Sequence, residues 1–493
     1  MNDTSNPLEL PDPIWTDAIT ICKDLRAGKV SAEDLMTNIY QRIHQINPQV
    51  NAIVNLLSEK DAIELARHAD NVPLSERGIL HGLPMAMKDS VAIKGFATTV
   101  GFQPYAERIE TQDSPLAERM RKAGVIFIGH TNMPEFGLGS NTFNSVFGAT
   151  HNPYDLSKTA GGSSGGAAAA LATDMLPLAD GSDMGGSLRN PASFCNVVGF
   201  RPSIGRTQKN LGAAWYGRLV TTGPMAKSVK DTALLMSVMS GSDISDPLNL
   251  SDSDEDFLEA LIPYKINNNN PLKVAVSPCL GELPIDGQVV DIIHAAGDTF
   301  KNLGAEITYA DPPLEGAMEA FQIQRAVGLR GLGKTLDQSV DNWRQYAKET
   351  VIWNIEKGQS LSIDEMIKAE MIRTNIYAKM ASFFEEYDVL LLPSAQVPPF
   401  DLSKEWVEEI EGTKLDTYID WMSVCCMITV TGLPAISVPG GFTKEGLPVG
   451  VQLVGKPRGD VELLKIAHLF ESKTNFYKMK PSGFKLGRKS CSA

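Results

Sequence analysis

The chain has 493 residues, 43% hydrophobic and 21% charged, with a formal net charge of −14. This composition is ordinary for a globular protein with a sizeable core, and the acidic balance disfavours non-specific binding to nucleic acid or an anionic membrane. Six cysteines (Cys22, Cys195, Cys279, Cys425, Cys426 and Cys491) show no paired metal-ligand spacing and are too few for a disulfide scaffold, which fits a reduced cytoplasm.

The opening MNDTSNPLEL lacks the basic-then-apolar pattern of a secretory signal. No apolar run approaches the ~20 residues that span a bilayer. The chain is therefore expected to be cytoplasmic, with no membrane or nucleic-acid partner. Over residues 13–70 apolar residues recur at helical spacing, with Ser31 as an N-cap. That block shows no chemistry and reads as packing or a candidate homodimer surface. In residues 82–93, GLPMAMKDSVAI, an apolar extended run delivers Lys88 and Asp89 together. Residues 116–129 read as a helix then a strand. The segment 130–153 is rich in Gly, Asn, Ser and Thr, and a loop of that length inside a compact domain is usually functional. Residues 241–271 are acidic and Asn-rich and read as an exposed surface loop. The strand 272–276, helix 289–303 and strand 305–309 predict parallel pairing. Residues 313–386 read as mostly helical, 389–393 as a buried strand, and 436–439 with 449–454 as a hairpin through 443–446. A helix over 461–472 closes one α/β domain spanning 1–493, without internal repeats.

Residues 159–206 hold two glycine-flanked serine sites, Gly162-Ser163-Ser164-Gly165 and Gly185-Gly186-Ser187, on either side of an alanine-rich segment. Glycine beside serine lets the backbone bend sharply and a substrate come close, and unencumbered amides can hold an anion. The pair points to a nucleophile beside its own oxyanion hole; two tight turns around a short helix would use the same residues. Two other motifs match as strings. GLRGLGKT at 328–335 fits a phosphate loop, but it follows QIQRAV in a helical region instead of a buried strand. GGSSG at 161–165 fits a hydrolase elbow, but its flank DLSKTA is not an apolar strand. The seven histidines are scattered, so nothing points to a Ser–His–Asp triad. Lysine can replace histidine as base where burial keeps its amine neutral. Lys88, in its apolar segment, is the candidate, although a lysine beside an aspartate also reads as a solvated pair.

Residues 159–206 resemble the signature of the amidase signature family, with GGSSGG, then Asp183-Met184-Gly185-Gly186-Ser187, Arg189, Pro191 and Gly199. GLPMAMKDS resembles that family's lysine segment, NMPEFGLGSNTFNSVFGATHNPYD its loop before the signature, and TGLPAISVPGGFTKEGLPVGVQLVG its C-terminal core. The resemblance runs from about residue 20 to 475 and is weakest between 245 and 385. It implies an α/β fold with a large twisted mixed, mostly parallel central sheet covered by helices on both faces. It also implies a Ser–cis-Ser–Lys triad. Ser187 would be the nucleophile, Ser163 the bridging serine with a cis peptide bond to Gly162, and Lys88 the base. The N–H groups of Met184, Gly185 and Gly186, with that of Ser187, would form the oxyanion hole. Ser164 would hydrogen-bond within the relay, and Asp183 and Arg189 would fix the loop as a structural pair.

The activity so implied is hydrolysis of a small-molecule carboxylic amide through an acyl-enzyme, releasing carboxylate and ammonia or an amine, with no cofactor or metal. Within the family, Thr207-Gln208-Lys209-Asn210 and Trp215-Tyr216-Gly217-Arg218 depart from the glutaminase component of tRNA-dependent amidotransferases. The signature wording is similar to stand-alone bacterial amidases, including aryl acylamidases and hydrolases of nylon-type cyclic dimers. The amidotransferase glutaminase and the amide-oligomer hydrolase remain the alternatives. Trp215, Tyr216 and the aromatics between 321 and 353 are candidate pocket residues. Cys195 reads as core, and Cys425 and Cys426 as pocket or core.

Overall fold

The computed structural model describes residues 16–207, 218–243, 246–250, 256–267, 269 and 271–482. The N-terminal helices form where the periodicity predicts, as Ala18–Arg26, Ala32–Val50 and Glu59–Asp70. Ser31 caps the second by accepting the Asp34 N–H, which satisfies one of the donors that a helix start leaves open. Their apolar faces, including Ile21, Leu25, Leu35, Ile39 and Ile43, lie in the chain's own core. Those faces are therefore not available as a dimer surface.

Two sheets matter for the site. A three-stranded sheet has the order Ile53–Val54, Ile126–Thr131, Pro84–Lys88. An eight-stranded sheet runs Glu306–Tyr309, Lys273–Val276, Val389–Pro393, Pro448–Gly455, Ala435–Phe442, Val198–Arg201, Thr221–Ala226, Leu178–Asp183. The sheet is mixed, as expected, and the predicted strand–helix–strand unit pairs in parallel. Parallel pairing is narrower than expected, however. Lys273–Val276 is parallel to both of its neighbours, whereas the remaining pairings are antiparallel. The hairpin between Ala435–Phe442 and Pro448–Gly455 forms as read.

Alternation along the strands covers both faces. Ala275, Leu390, Leu392 and Ala435 enter one apolar cluster with the helices Ala317–Ser339, Ile363–Glu386 and Ser423–Thr431. Val274, Leu391, Ile436 and Leu453 enter another with the helices Val229–Met239, Gly287–Asn302 and Asp460–Thr474. Glu349–Ser360 is the remaining helix of the 313–386 region. The described residues within 241–271 are less exposed than the composition of that stretch suggests. Phe257 and Ala260 are buried in the second cluster, and buried Arg218 pairs with Asp246.

The helix Gly165–Ala172 is buried at every residue. Its small side chains follow from its position: a Cβ on Gly166 would sit 2.3 Å from Asn132 N and 2.5 Å from Ala52 O.

Candidate active site

Lys88 ends the strand Pro84–Lys88, which is buried throughout. This strand forms one edge of the small sheet, and Leu178–Asp183 forms one edge of the large one. Side chains bridge the two edges. Asp180 Oδ1 accepts the Lys88 backbone N–H at 2.8 Å. Two residues further along, on the same face of the strand, Ser182 Oγ lies 3.0 Å from Lys88 Nζ.

The Lys88 amine has two further neighbours, Ser163 Oγ at 2.7 Å and Ser164 Oγ at 3.0 Å. Complete burial lowers its pKa from 10.5 to about 7, against the opposing pull of Asp180 and Asp183. Burial likewise raises Asp180 to about 6. An ammonium has three donors and no acceptor, whereas a neutral amine has two hydrogens and a lone pair. With three hydroxyls around a neutral amine, one hydroxyl must donate to it. Ser163 is the shortest contact, so the arrangement can pass a proton from that hydroxyl to the lysine.

The first serine loop is fixed from outside. The Gly162–Ser163 peptide bond is cis. Ser140 Oγ donates to Gly162 O at 2.6 Å, and Asn190 Nδ2 donates to Ser140 Oγ at 2.8 Å. Thr142 Oγ1 donates to Gly161 O at 2.7 Å. Gly137 covers the Ser163 hydroxyl, since a Cβ there would lie 3.4 Å from Ser163 Oγ. The long loop before the signature thus holds this site. The two serine loops touch directly, with Ser164 N–H donating to Ser187 O at 3.2 Å. Ser163 and Ser164 are buried, while Ser187 is partly exposed, as a group that must meet a ligand needs to be.

Asp183 organises the second loop. Its carboxylate accepts Gly186 N–H and Leu188 N–H, each at 3.0 Å, and the Arg189 guanidinium at 2.7 and 3.0 Å. Burial alone would raise its pKa, but Arg189, Arg201 and the Leu188 N–H hold it well below the carboxylate range. Arg189 also reaches Cys425 O, Gln452 Oε1 and Thr429 Oγ1. Asp183 and Arg189 therefore form a buried ion pair that ties this loop to its surroundings.

One expectation needs correction. Gly186 N–H does not face outward, because Asp183 Oδ1 takes it. Gly186 instead supplies a turn: its φ is +111°, and a Cβ would lie 2.8 Å from both Asn190 Nδ2 and Cys425 Cβ. The N–H groups left for a ligand are those of Met184, Gly185 and Ser187. Gly185 packs closely against a second stretch of chain, since a Cβ there would lie 3.1 Å from Cys426 Sγ and 3.2 Å from Phe321 Cζ.

Other sequence candidates fall elsewhere. Asp89 is an internal acceptor for Thr99 N–H at 3.0 Å. GLRGLGKT lies inside the helix Ala317–Ser339 and builds no phosphate loop. The histidine hydrogen bonds among the described residues go to backbone carbonyls, a tyrosine and an exposed glutamate, and none reaches the three serines. Cys195 is buried core. Trp215 and Tyr216 lie outside the described residues. Among those residues no group of three or more His, Cys, Asp or Glu could hold a metal ion, and no helix is long and apolar enough to cross a membrane. Sequence reading misses Asp180 and Ser182, whose signal is polar alternation in LADGSD, and Ser140 and Asn190, which carry none.

The amidase family model matches residues 34–464. The chain is 33% identical to an acylamidase of Rhodococcus erythropolis, over 95% of this chain and 97% of that protein. It is 32% identical to a glutamyl-tRNA(Gln) amidotransferase component from Thermodesulfovibrio yellowstonii, over 92% of this chain and 96% of that protein. It superimposes on a crystal structure of a bacterial aryl acylamidase of the amidase signature family with a TM-score of 0.87 and 28% identity, covering 95% of this chain and 99% of that one. A lysine amine and paired serine hydroxyls assembled in this fold, together with matches that span nearly the whole chain, establish that the protein belongs to the amidase signature family and is an enzyme that hydrolyses amide C–N bonds.

Proposed function

We propose that the enzyme cleaves a small aryl or alkyl amide through an acyl-enzyme on Ser187, acting without a partner protein. The observation that carries this reading is the buried Lys88 amine, 2.7 Å from Ser163 Oγ, with Ser164 of the same loop bonded to Ser187 O. Ser187 Oγ attacks the amide carbonyl carbon as its proton passes to Ser163, whose own proton goes to neutral Lys88. The N–H groups of Met184, Gly185 and Ser187 hold the tetrahedral oxyanion; one such donor is typically worth about 3 kcal/mol in the transition state. The relay returns the proton to the leaving nitrogen, the C–N bond breaks, and ammonia or an amine departs. Water then attacks the acyl-enzyme with the same relay as base, releasing carboxylate and regenerating Ser187.

The acylamidase relative and the aryl acylamidase structure support an amide of this class. The 32% identity to an amidotransferase component supports a second reading, as a glutaminase within a complex. Purified chain alone is expected to turn over a simple anilide and to be labelled by a fluorophosphonate. Ser187→Ala should lose both, with turnover falling on the order of 10⁵-fold. Label persisting in Ser187→Ala would overturn the nucleophile, and activity seen only with added amidotransferase components and tRNA would favour the glutaminase.

A further inference from the structure

Among the described residues, one buried cation has no carboxylate partner. Arg325 lies on the helix Ala317–Ser339, one turn beyond Phe321, and only 3% of it is exposed. Among the described residues its Nη1 has no hydrogen-bond partner, and the ion pairs found there do not include Arg325. Its Nη2 donates to the hydroxyl of buried Tyr418, and Asn354 Nδ2 donates to the same oxygen at 2.7 Å. A phenol oxygen that accepts two bonds still has its own proton to donate. Two donors, Arg325 Nη1 and Tyr418 O–H, are thus left uncommitted around one point.

Tyr418 is linked to the Gly185 loop through one cluster. Tyr418, Phe321, Cys426 and Met184 share one apolar cluster, and Phe321 and Cys426 are the groups that face Gly185. The guanidinium lies over the Tyr418 ring, 5.4 Å from its centroid, but burying it without a carboxylate is still unfavourable, and its planar fork suits a carboxylate. We propose that Arg325, oriented by Tyr418 and Asn354, is a binding subsite for a carboxylate borne by the substrate away from the scissile amide. This rests on Ser187 being the reacting group and narrows the substrate to an amide that carries a free acid, such as the monoamide of a dicarboxylic acid.

The test compares adipic acid monoamide with hexanamide, equal in chain length and differing in the terminal carboxylate. The wild-type enzyme should prefer the acid in kcat/KM by at least about tenfold, as a charged hydrogen bond predicts. In Arg325→Met the ratio of the two kcat/KM values should fall about tenfold, mainly through KM. Tyr418→Phe should lower it by a smaller factor, and Arg325→Lys should restore part of it. Calorimetry with adipate reads the subsite without turnover: Ser187→Ala protein should bind it, and Ser187→Ala/Arg325→Met should not. Arg325→Met should also melt no lower than wild type, because an uncompensated buried charge is removed. A wild-type ratio near one, adipate binding that ignores Arg325, or a melting point that drops with no change in the ratio would each overturn the subsite. Adipate binding through Arg325 in an enzyme that cleaves neither amide would instead sink the Ser187 reading and leave the subsite standing.

Discussion

The wall built from residues 84–201 and the wall built from residues 317–431 hold their central buried charges differently. In the first, Lys88 Nζ meets three hydroxyls, and both oxygens of Asp183 are engaged by protein donors. In the second, Gln322 Oε1, Arg325 Nη1, Thr350 Oγ1 and Asn354 Oδ1 are buried without partners. A buried polar group without a partner is unfavourable until something meets it. In the first, Lys88 and Asp183 find protein partners as folded, although Asp180 Oδ2 beside the lysine has none among the described residues. The second is incomplete in a way that a ligand can finish. On the proposed reading, chemistry and recognition fall to two stretches of chain that meet at Gly185, where Phe321 and Cys426 of the second wall face the first.

The largest effect that could break this division is on the lysine. Lys88→Ala should lower kcat/KM roughly 10³-fold, within the range typical of a lost general base, while substrate binding persists. The sign of the pH dependence follows from the pKa. Burial lowers Lys88 to about 7, and in the proposed relay the neutral amine is the working form. The wild-type rate should therefore rise with pH through about 7 and level off above it, and Lys88→Ala should lose that rise. An unchanged limb in the variant would remove Lys88 as base and make the first wall merely structural.

Next in size is Asp183→Asn. It leaves Arg189 buried beside a neutral amide, and breaking a buried pair in this way costs about 3–5 kcal/mol. Chemical denaturation should show that loss, and turnover should fall with it because Asp183 also fixes Gly186 and Leu188. Stability equal to wild type would mean that the loop is held by other contacts. Gly185→Ala probes the seam itself. The added methyl would press on Cys426 Sγ and Phe321 Cζ, displacing the donor loop, and turnover should fall about 10²-fold, as for a lost oxyanion donor. Adding Cys426→Ala should recover part of it. No recovery would mean that the two walls are not in mechanical contact there.

Legibility in the sequence follows the same division. Lys88, Ser163 and Ser187 stand out in the sequence as candidates because small residues and hydroxyls crowd into short stretches, where local composition and backbone requirement coincide. The Gly186 donor is misread because Asp183 folds back on its own loop, a hydrogen bond that residue type alone does not fix. Helices such as Val229–Met239 are plain from periodicity. The sheet's parallel content is not, since Leu178–Asp183, Thr221–Ala226 and Val198–Arg201 pair across long sequence separations. Residues 241–271 look exposed because their polar majority hides Phe257, which anchors them in the core. Arg325 is invisible for a related reason. An arginine in a helical pattern reads as solvated, and only the packing of Tyr418 and Asn354 against it places it inside.

The smallest predicted effect concerns a residue that sequence reading passes over. Ser182 Oγ lies 3.0 Å from Lys88 Nζ on the strand that abuts the lysine strand. Its oxygen can accept a hydrogen bond from the ammonium, which favours the charged form. Ser182→Ala should therefore lower the Lys88 pKa further and move the rising limb of the pH–rate profile to lower pH. Its plateau should drop only a few-fold, because Ser163 and Ser164 still hold the amine. The shift separates two roles for this serine. If Ser182 merely fills space between the sheet edges, the plateau falls and the limb stays in place. A limb that moves to higher pH would mean that the hydroxyl donates to a neutral amine in the resting enzyme, and the relay would then have two hydroxyl donors competing for one lone pair.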